Sequence, residues 1–237
     1  MNYLLYYILG IVLIPVIIFS VVAQIKVQAN YTKYSKVLSE KGYSANKVVR
    51  EILNSAGLYD YKVDRVEGEL TDHFNPKDKT IYLSTNVYDS TSVAALGIAC
   101  HETGHALQHA ENYAPMKVRQ ALVKVSNISS RILWPILLIG FIFSFLAFIE
   151  PFGTIILYAG VIFFGITFII NLVTLPVEYN ASNRAKRLLS ASGICDREEM
   201  VGVEKVLNSA ALTYVAAMVT SLIYLLRFIA LFSRSRD

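Results

Sequence analysis

The sequence predicts a mainly α-helical, polytopic membrane protein with a small zincin-like α+β part outside the bilayer. Three observations lead there. The chain of 237 residues is 54% hydrophobic, with a mean hydropathy of +0.46, too apolar for an ordinary soluble domain. About four apolar stretches alternate with polar ones, at a length that suits membrane helices. Between the first and second stretch lies His101-Glu102-Thr103-Gly104-His105, the His-Glu-x-x-His pattern.

Leu4 to Ile25 is the first apolar stretch. Met1-Asn2-Tyr3 carries no basic residue and the run is long for a signal peptide, so residues 1–25 read as an uncleaved anchor helix, with Pro15 as a point for a kink. Residues 26–131 are polar and mixed, and form the predicted catalytic part. Ser44 is placed to cap a helix whose apolar face is Val48, Val49, Ile52 and Leu53, and Gly57 is placed to end it. Tyr61 to Val66 alternates like a strand. Asp72-His73-Phe74 and Thr80 to Ser84 flank the turn-rich Asn75 to Lys79, which predicts a hairpin. An edge strand beside a zincin helix can hold a peptide extended by main-chain hydrogen bonds; the alternative is a hairpin that only covers the core. Asp89 to Ser92 offers N-caps for a helix running to about Ala110, with Val93, Leu96, Gly97, Cys100, Gly104 and Leu107 on its packed face. A further helix is expected from Met116 towards Arg131.

Residues 132–175 read as a transmembrane hairpin, with spans over Ile132 to Ile149 and Gly153 to Leu175 and a turn at Glu150-Pro151-Phe152. Residues 176–208 are polar and helical, broken at Gly193, and residues 209–237 form a C-terminal membrane helix with a basic tail. Of the 22 Lys and Arg residues, 14 lie between Lys26 and Arg131 and five between Arg184 and Lys205. The positive-inside rule therefore predicts a multi-pass cell-membrane protein with both polar regions in the cytoplasm. Arg234 and Arg236 oppose an outside C-terminus, which leaves the last stretch as a span, a re-entrant element or an in-plane helix. A net charge of +4 gives no case for nucleic-acid binding. The partners expected are the lipid bilayer and a protein or peptide substrate. The two cysteines, Cys100 and Cys195, form no Cys-x-x-Cys pair and read as packed thiols.

On a helix, His101 and His105 share a face and can reach one ion, while Glu102 lies about 100° round the axis, placed to polarise a metal-bound water. A catalytic zinc takes three protein ligands and a water. The candidates for the third are His73, His109, Glu111 and Glu178. His109 is eight residues from His101, about 12 Å along the axis, too far for one ion on a straight helix. A metzincin would need Gly at 108 and His at 111, where this chain has Gln108 and Glu111. Glu178 is the strongest candidate by spacing. It follows Pro176, and Ala181, Ser182 and Ala185 on its side of the helix permit close approach to another helix.

His101 to Gln108, Asp72 to Pro76 and Leu175 to Ser182 resemble the bacterial integral-membrane neutral zinc metallopeptidases of the YugP type, which are gluzincin-like in layout. The resemblance extends over nearly the whole chain and includes Ala211 to Val215 at the start of the last apolar stretch. It implies one Zn2+ per chain held by His101, His105 and Glu178, with Glu102 catalytic. Asn180 stands where the family pattern has an aspartate, and it can still accept a hydrogen bond, without the charge. The implied activity is that of a membrane-embedded zinc-dependent endopeptidase, with Glu102 as general base, acting on membrane-associated or unfolded proteins. His73, Arg184, Arg187 and Tyr214 are the candidates for stabilising the developing oxyanion. The alternative is a catalytically silent zinc-binding membrane scaffold, which would have no need for the Glu102 carboxylate. An intramembrane protease is disfavoured, since the apolar run before His101 is short and its C-terminal half is polar.

Overall fold

A computed structural model describes residues 2–123 and 150–232. The described chain is mainly helical. Helix α1 is Asn2–Tyr34 and α2 is Ala45–Ser55. Strands β1 (Lys62–Val66), β2 (His73–Asn75) and β3 (Thr80–Ser84) follow. Then come α3 (Thr85–Tyr88), α4 (Val93–Ala110), a helix α5 over 114–123, α6 (Glu150–Ala191) and α7 (Arg197–Phe232). The expected span over 132–149 lies outside the described residues.

Two compact units share the long helices. The first takes residues 1–22, 117–175 and 214–237, and the second takes 23–116 and 176–213. Among the described residues, three helices are long and apolar enough to cross a membrane: Leu4–Tyr34, Tyr158–Ala191 and Arg197–Ala230. In the first unit apolar side chains face outward, among them Ile11, Ile14, Ile18, Ile162 and Ile169. That arrangement suits a lipid solvent rather than water. Its helices touch through Gly160, which faces the Phe228 ring, and through Phe164 stacked on Tyr224 and Phe228. The Asn171 amide donates to the Ala217 carbonyl at 3.2 Å, pairing a polar group between helices.

The second unit is built like a water-soluble domain. Val48, Val49 and Leu53 of α2, Ile81 and Leu83 of β3, Leu96 and Cys100 of α4, and Leu189 of α6 join one core. Each such aliphatic side chain contributes about 1.5–3 kcal/mol on full burial. The sheet order is β1-β3-β2, with β1 parallel and β2 antiparallel to β3. The expected hairpin is therefore β2–β3, closed by the Asn75-to-Lys79 turn, and β2 is an edge strand. Asp72 ties the hairpin entry to β3 by accepting from the Ser84 backbone N–H at 2.7 Å and from its hydroxyl at 3.0 Å.

Helix boundaries show which sequence signals acted. The Ser92 hydroxyl caps α4 by accepting from the Ala95 N–H at 3.2 Å. The other end closes with Asn112 in the left-handed region (φ +57), while the N–H of Tyr113 reaches the Gln108 carbonyl at 2.9 Å and that of Asn112 reaches His109 at 3.1 Å. Gly57 and Gly193 take positive φ just past α2 and α6, as their positions suggest. Ser44 sits at the α2 N-cap but spends its hydroxyl on Asn46 Oδ1 instead of a helix N–H.

Four expected breaks are absent. Helix α1 continues nine residues beyond Ile25. Glu150-Pro151-Phe152, read as a turn, is already the start of α6, where a proline lacks only a donor the helix does not use. Helix α6 then runs through Pro176 without a boundary between its apolar and polar halves. The polar stretch 196–208 and the apolar stretch 209–232 are one helix, α7. Asp196 and Glu199 start α7 with a reciprocal capping box, N–H to carboxylate at 2.7 and 2.9 Å. The change of composition marks a change of surroundings, and the helical backbone runs through it, short of one i→i−4 hydrogen bond at Pro176, which has no N–H.

Candidate metal centre

The centre lies wholly within the second unit, where α4 meets the polar half of α6. Gly104 makes the meeting possible. A Cβ there would stand 2.6 Å from the Ala181 carbonyl oxygen and 3.0 Å from its Cα, so only glycine permits this approach. Ala181 and Ala185 are fully buried on the facing side.

Four residues apart on α4, the rings of His101 and His105 lie edge to face with centroids 4.8 Å apart. Glu178 of α6 faces both, its Oε2 3.3 Å from His101 Nε2 and 3.5 Å from His105 Nε2. Ligand atoms of these three residues lie within 4.8 Å of one another, and among the described residues they form a group able to hold a metal ion. Glu178 is only 2% exposed.

The far nitrogens are also engaged. His101 Nδ1 is 3.1 Å from the Ser182 hydroxyl. His105 Nδ1 is 2.9 Å from Gln108 Oε1. Gln108 is fully buried, and its amide N–H groups donate to the Val177 carbonyl at 2.8 Å and to Asn180 Oδ1 at 3.0 Å. Asn180 Oδ1 also accepts from Arg184 Nε at 2.8 Å. The two terminal nitrogens of Arg184 fork onto both oxygens of Glu111, each at 2.7 Å. Burial opposes a charge on His105, but Glu178, Glu102 and the Gln108 amide oxygen together outweigh it and raise its pKa. The hydrogen bonds from Arg184 hold the exposed Glu111 carboxyl below its ordinary range.

This donor set fits zinc. Two imidazole Nε2 atoms and a carboxylate oxygen converge, and both Nδ1 atoms are turned towards hydrogen-bonding partners, the usual support for a ligating histidine. Three negative or lone-pair atoms this close in a buried site require a proton or a cation among them.

Glu102, next in sequence to His101, is half-buried on α4. Its charge, after burial, is one of the influences that raise the pKa of the half-buried Asp72. The remaining candidates are dispersed. His109 hydrogen-bonds Tyr61 through Nδ1 at 2.8 Å and packs against Phe74, outside the three-residue group. His73 is on β2, stacked on Tyr82, with Nδ1 2.8 Å from the Thr71 carbonyl. Arg187 lines an apolar groove with Leu107, Leu188 and Ile194. Tyr214 is on α7 in the first unit. Cys100 and Cys195 are buried thiols, with burial pushing both pKa values up.

Sequence reading passed over two residues in this arrangement. Ser182 was notable only for its size, and Gln108 only as part of the motif. The signal was available in spacing. Gln108 is three residues after His105, and Ser182 is four after Glu178, so each shares a helix face with a candidate ligand.

A helical chain with apolar helices and a buried His-His-Glu cluster on a His-Glu-x-x-His helix has the layout of a membrane zinc metallopeptidase. The chain belongs to the family described as "Putative neutral zinc metallopeptidase", whose profile matches residues 9–233. A relative in Bacillus subtilis (strain 168), "Putative membrane protease YugP", is 43% identical over 216 residues, 91% of this chain and 92% of the relative. No solved structure matches the chain.

Proposed function

We propose that the protein is a membrane-embedded zinc endopeptidase in which His101, His105 and Glu178 hold one Zn2+ and Glu102 is the general base. The observation that carries this reading is the convergence of Glu178 from α6 with His101 and His105 of α4, the helix that also bears Glu102. A zinc ion held by these three residues would supply Lewis acidity, making a water acidic near neutral pH. Glu102 takes up the proton and returns it to the leaving amine. A scaffold would have no use for that carboxylate.

The free edge of β2 supports the substrate reading. Among the described residues the strand pairs only with β3, and it packs near α4, so an extended peptide can add beside it through main-chain hydrogen bonds. His73 and Asn75 on this strand flank such a peptide. The excess of Lys and Arg in 26–131 and 184–205 supports a cytoplasmic site. Division into an anchor (1–25), a catalytic part (26–131), a hairpin (132–175), ligand-bearing helices (176–208) and a C-terminal helix (209–237) follows the same reading.

The test uses purified full-length protein in detergent. Wild type is expected to carry one zinc per chain and to cleave an unfolded test protein. Glu102→Gln is expected to keep the zinc and lose cleavage. Cleavage at the wild-type rate by Glu102→Gln overturns the mechanism.

A further inference from the structure

We infer that Gln108 is a positioning residue for the metal centre, and that the Glu111–Arg184 pair at the surface governs how firmly it acts, through Asn180. The inference rests on the proposed zinc site and goes beyond it, because neither Gln108 nor the ion pair touches the metal position.

The argument follows hydrogen-bond polarity from outside to inside. Arg184 is held at both terminal nitrogens by Glu111, so its Nε–H has a fixed direction. That N–H can only donate, so the Asn180 atom it meets at 2.8 Å must be the amide oxygen. The same oxygen faces the Gln108 amide at 3.0 Å and therefore calls for a donor there. The Val177 backbone carbonyl, 2.8 Å from the same amide, calls for a donor too. Both constraints place the NH2 of Gln108 on the α6 side and leave its oxygen pointing at His105 Nδ1, 2.9 Å away. An amide oxygen accepts and cannot donate. His105 must then carry a proton on Nδ1, and in a neutral ring this leaves Nε2 as a bare lone pair facing Glu178.

Reversing any one amide would set two acceptors or two donors face to face in a buried site. The burial of Gln108 removes water as a substitute partner. The chain of orientations is therefore serial. Each member matters to the metal only through the next.

Seriality is what separates this role from ordinary packing. The experiment measures zinc affinity of the full-length protein in detergent by competition with a chelator, for wild type, Gln108→Met, Arg184→Met and the double variant. Gln108→Met is expected to weaken zinc about 10- to 100-fold, the range for partners of a metal-ligating histidine. Arg184→Met is expected to weaken it by a smaller factor. The double variant is expected to match Gln108→Met alone. Independent packing losses would multiply instead, and that result, or an unchanged affinity in Gln108→Met, overturns the inference.

One readout needs no variant. Ring nitrogen NMR of the zinc-loaded wild type, with 15N-labelled histidine, is expected to show His105 protonated at Nδ1. Metal bound at Nδ1 overturns the inference while leaving the zinc site standing. A wild type that binds no zinc overturns both this inference and the proposed function.

Discussion

Helix α6 can be compared with itself on either side of Pro176. Before it, Ile162, Ile169 and Leu172 are large apolar side chains on the outside of their unit. After it, Val177, Glu178, Ala181 and Ala185 are buried, one of them an acid. The first half therefore suits a solvent that accepts hydrocarbon and rejects backbone polarity. The second half builds a polar site, in which Glu178 faces His101 and His105 and Arg184 pairs with Glu111. One continuous helix serves both, so the rule for what to bury changes without any change in secondary structure. Helix contacts differ in the same sense. Gly104 meets the backbone of Ala181, whereas Gly160 meets the ring of Phe228, a side chain with rotamer freedom.

The comparison breaks if the site that the polar half of α6 builds together with α4 proves dispensable to the metal and its chemistry. Glu102→Gln carries the largest expected effect, a loss of about 100- to 10,000-fold in peptide cleavage with zinc retained, measured as initial rates on an unfolded protein. Next is Glu178→Ala. Its zinc affinity should fall by more than the roughly 100-fold that marks the upper range for an outer partner, as read by chelator competition.

The two glycines sharpen the contrast between regions. Gly104→Ala should cost about 1–3 kcal/mol in denaturant unfolding, because a backbone carbonyl cannot step aside. It should also weaken zinc binding, since α4 and α6 carry the ligands. Gly160→Ala should cost less and leave zinc affinity unchanged. An equal penalty at both glycines would remove the distinction. The smallest effect is expected for His109→Ala. It gives up the Tyr61 hydrogen bond, about 0.5–1.5 kcal/mol of stability, and retains wild-type zinc affinity.

Local chemistry was legible in the sequence. Ser92 and the turn beyond Ala110 bound α4, and the Asn75-to-Lys79 turn gives the β2–β3 hairpin, because caps and turns act within a few residues. The separation of Glu178 from His101 hides their meeting from any local signal, and the small residues around Ala181 were the available hint. Breaks expected near Ile25, Pro176 and Ser209 fell where hydropathy changes. A helix need not stop where its solvent changes, because its hydrogen bonds are internal, and at Pro176 the missing N–H costs it one of them. The partners of His101 and His105 depend on the approach distance set by Gly104, a tertiary quantity that composition does not encode.

Zinc K-edge X-ray absorption on the zinc-loaded full-length protein tests the central claim most directly. The account predicts a shell of nitrogen and oxygen at about 2.0–2.1 Å, with outer scattering from two imidazole rings and no sulfur. Glu178→Ala should lose that signal. A sulfur shell at about 2.3 Å, or a zinc environment unaltered in Glu178→Ala, would contradict the site.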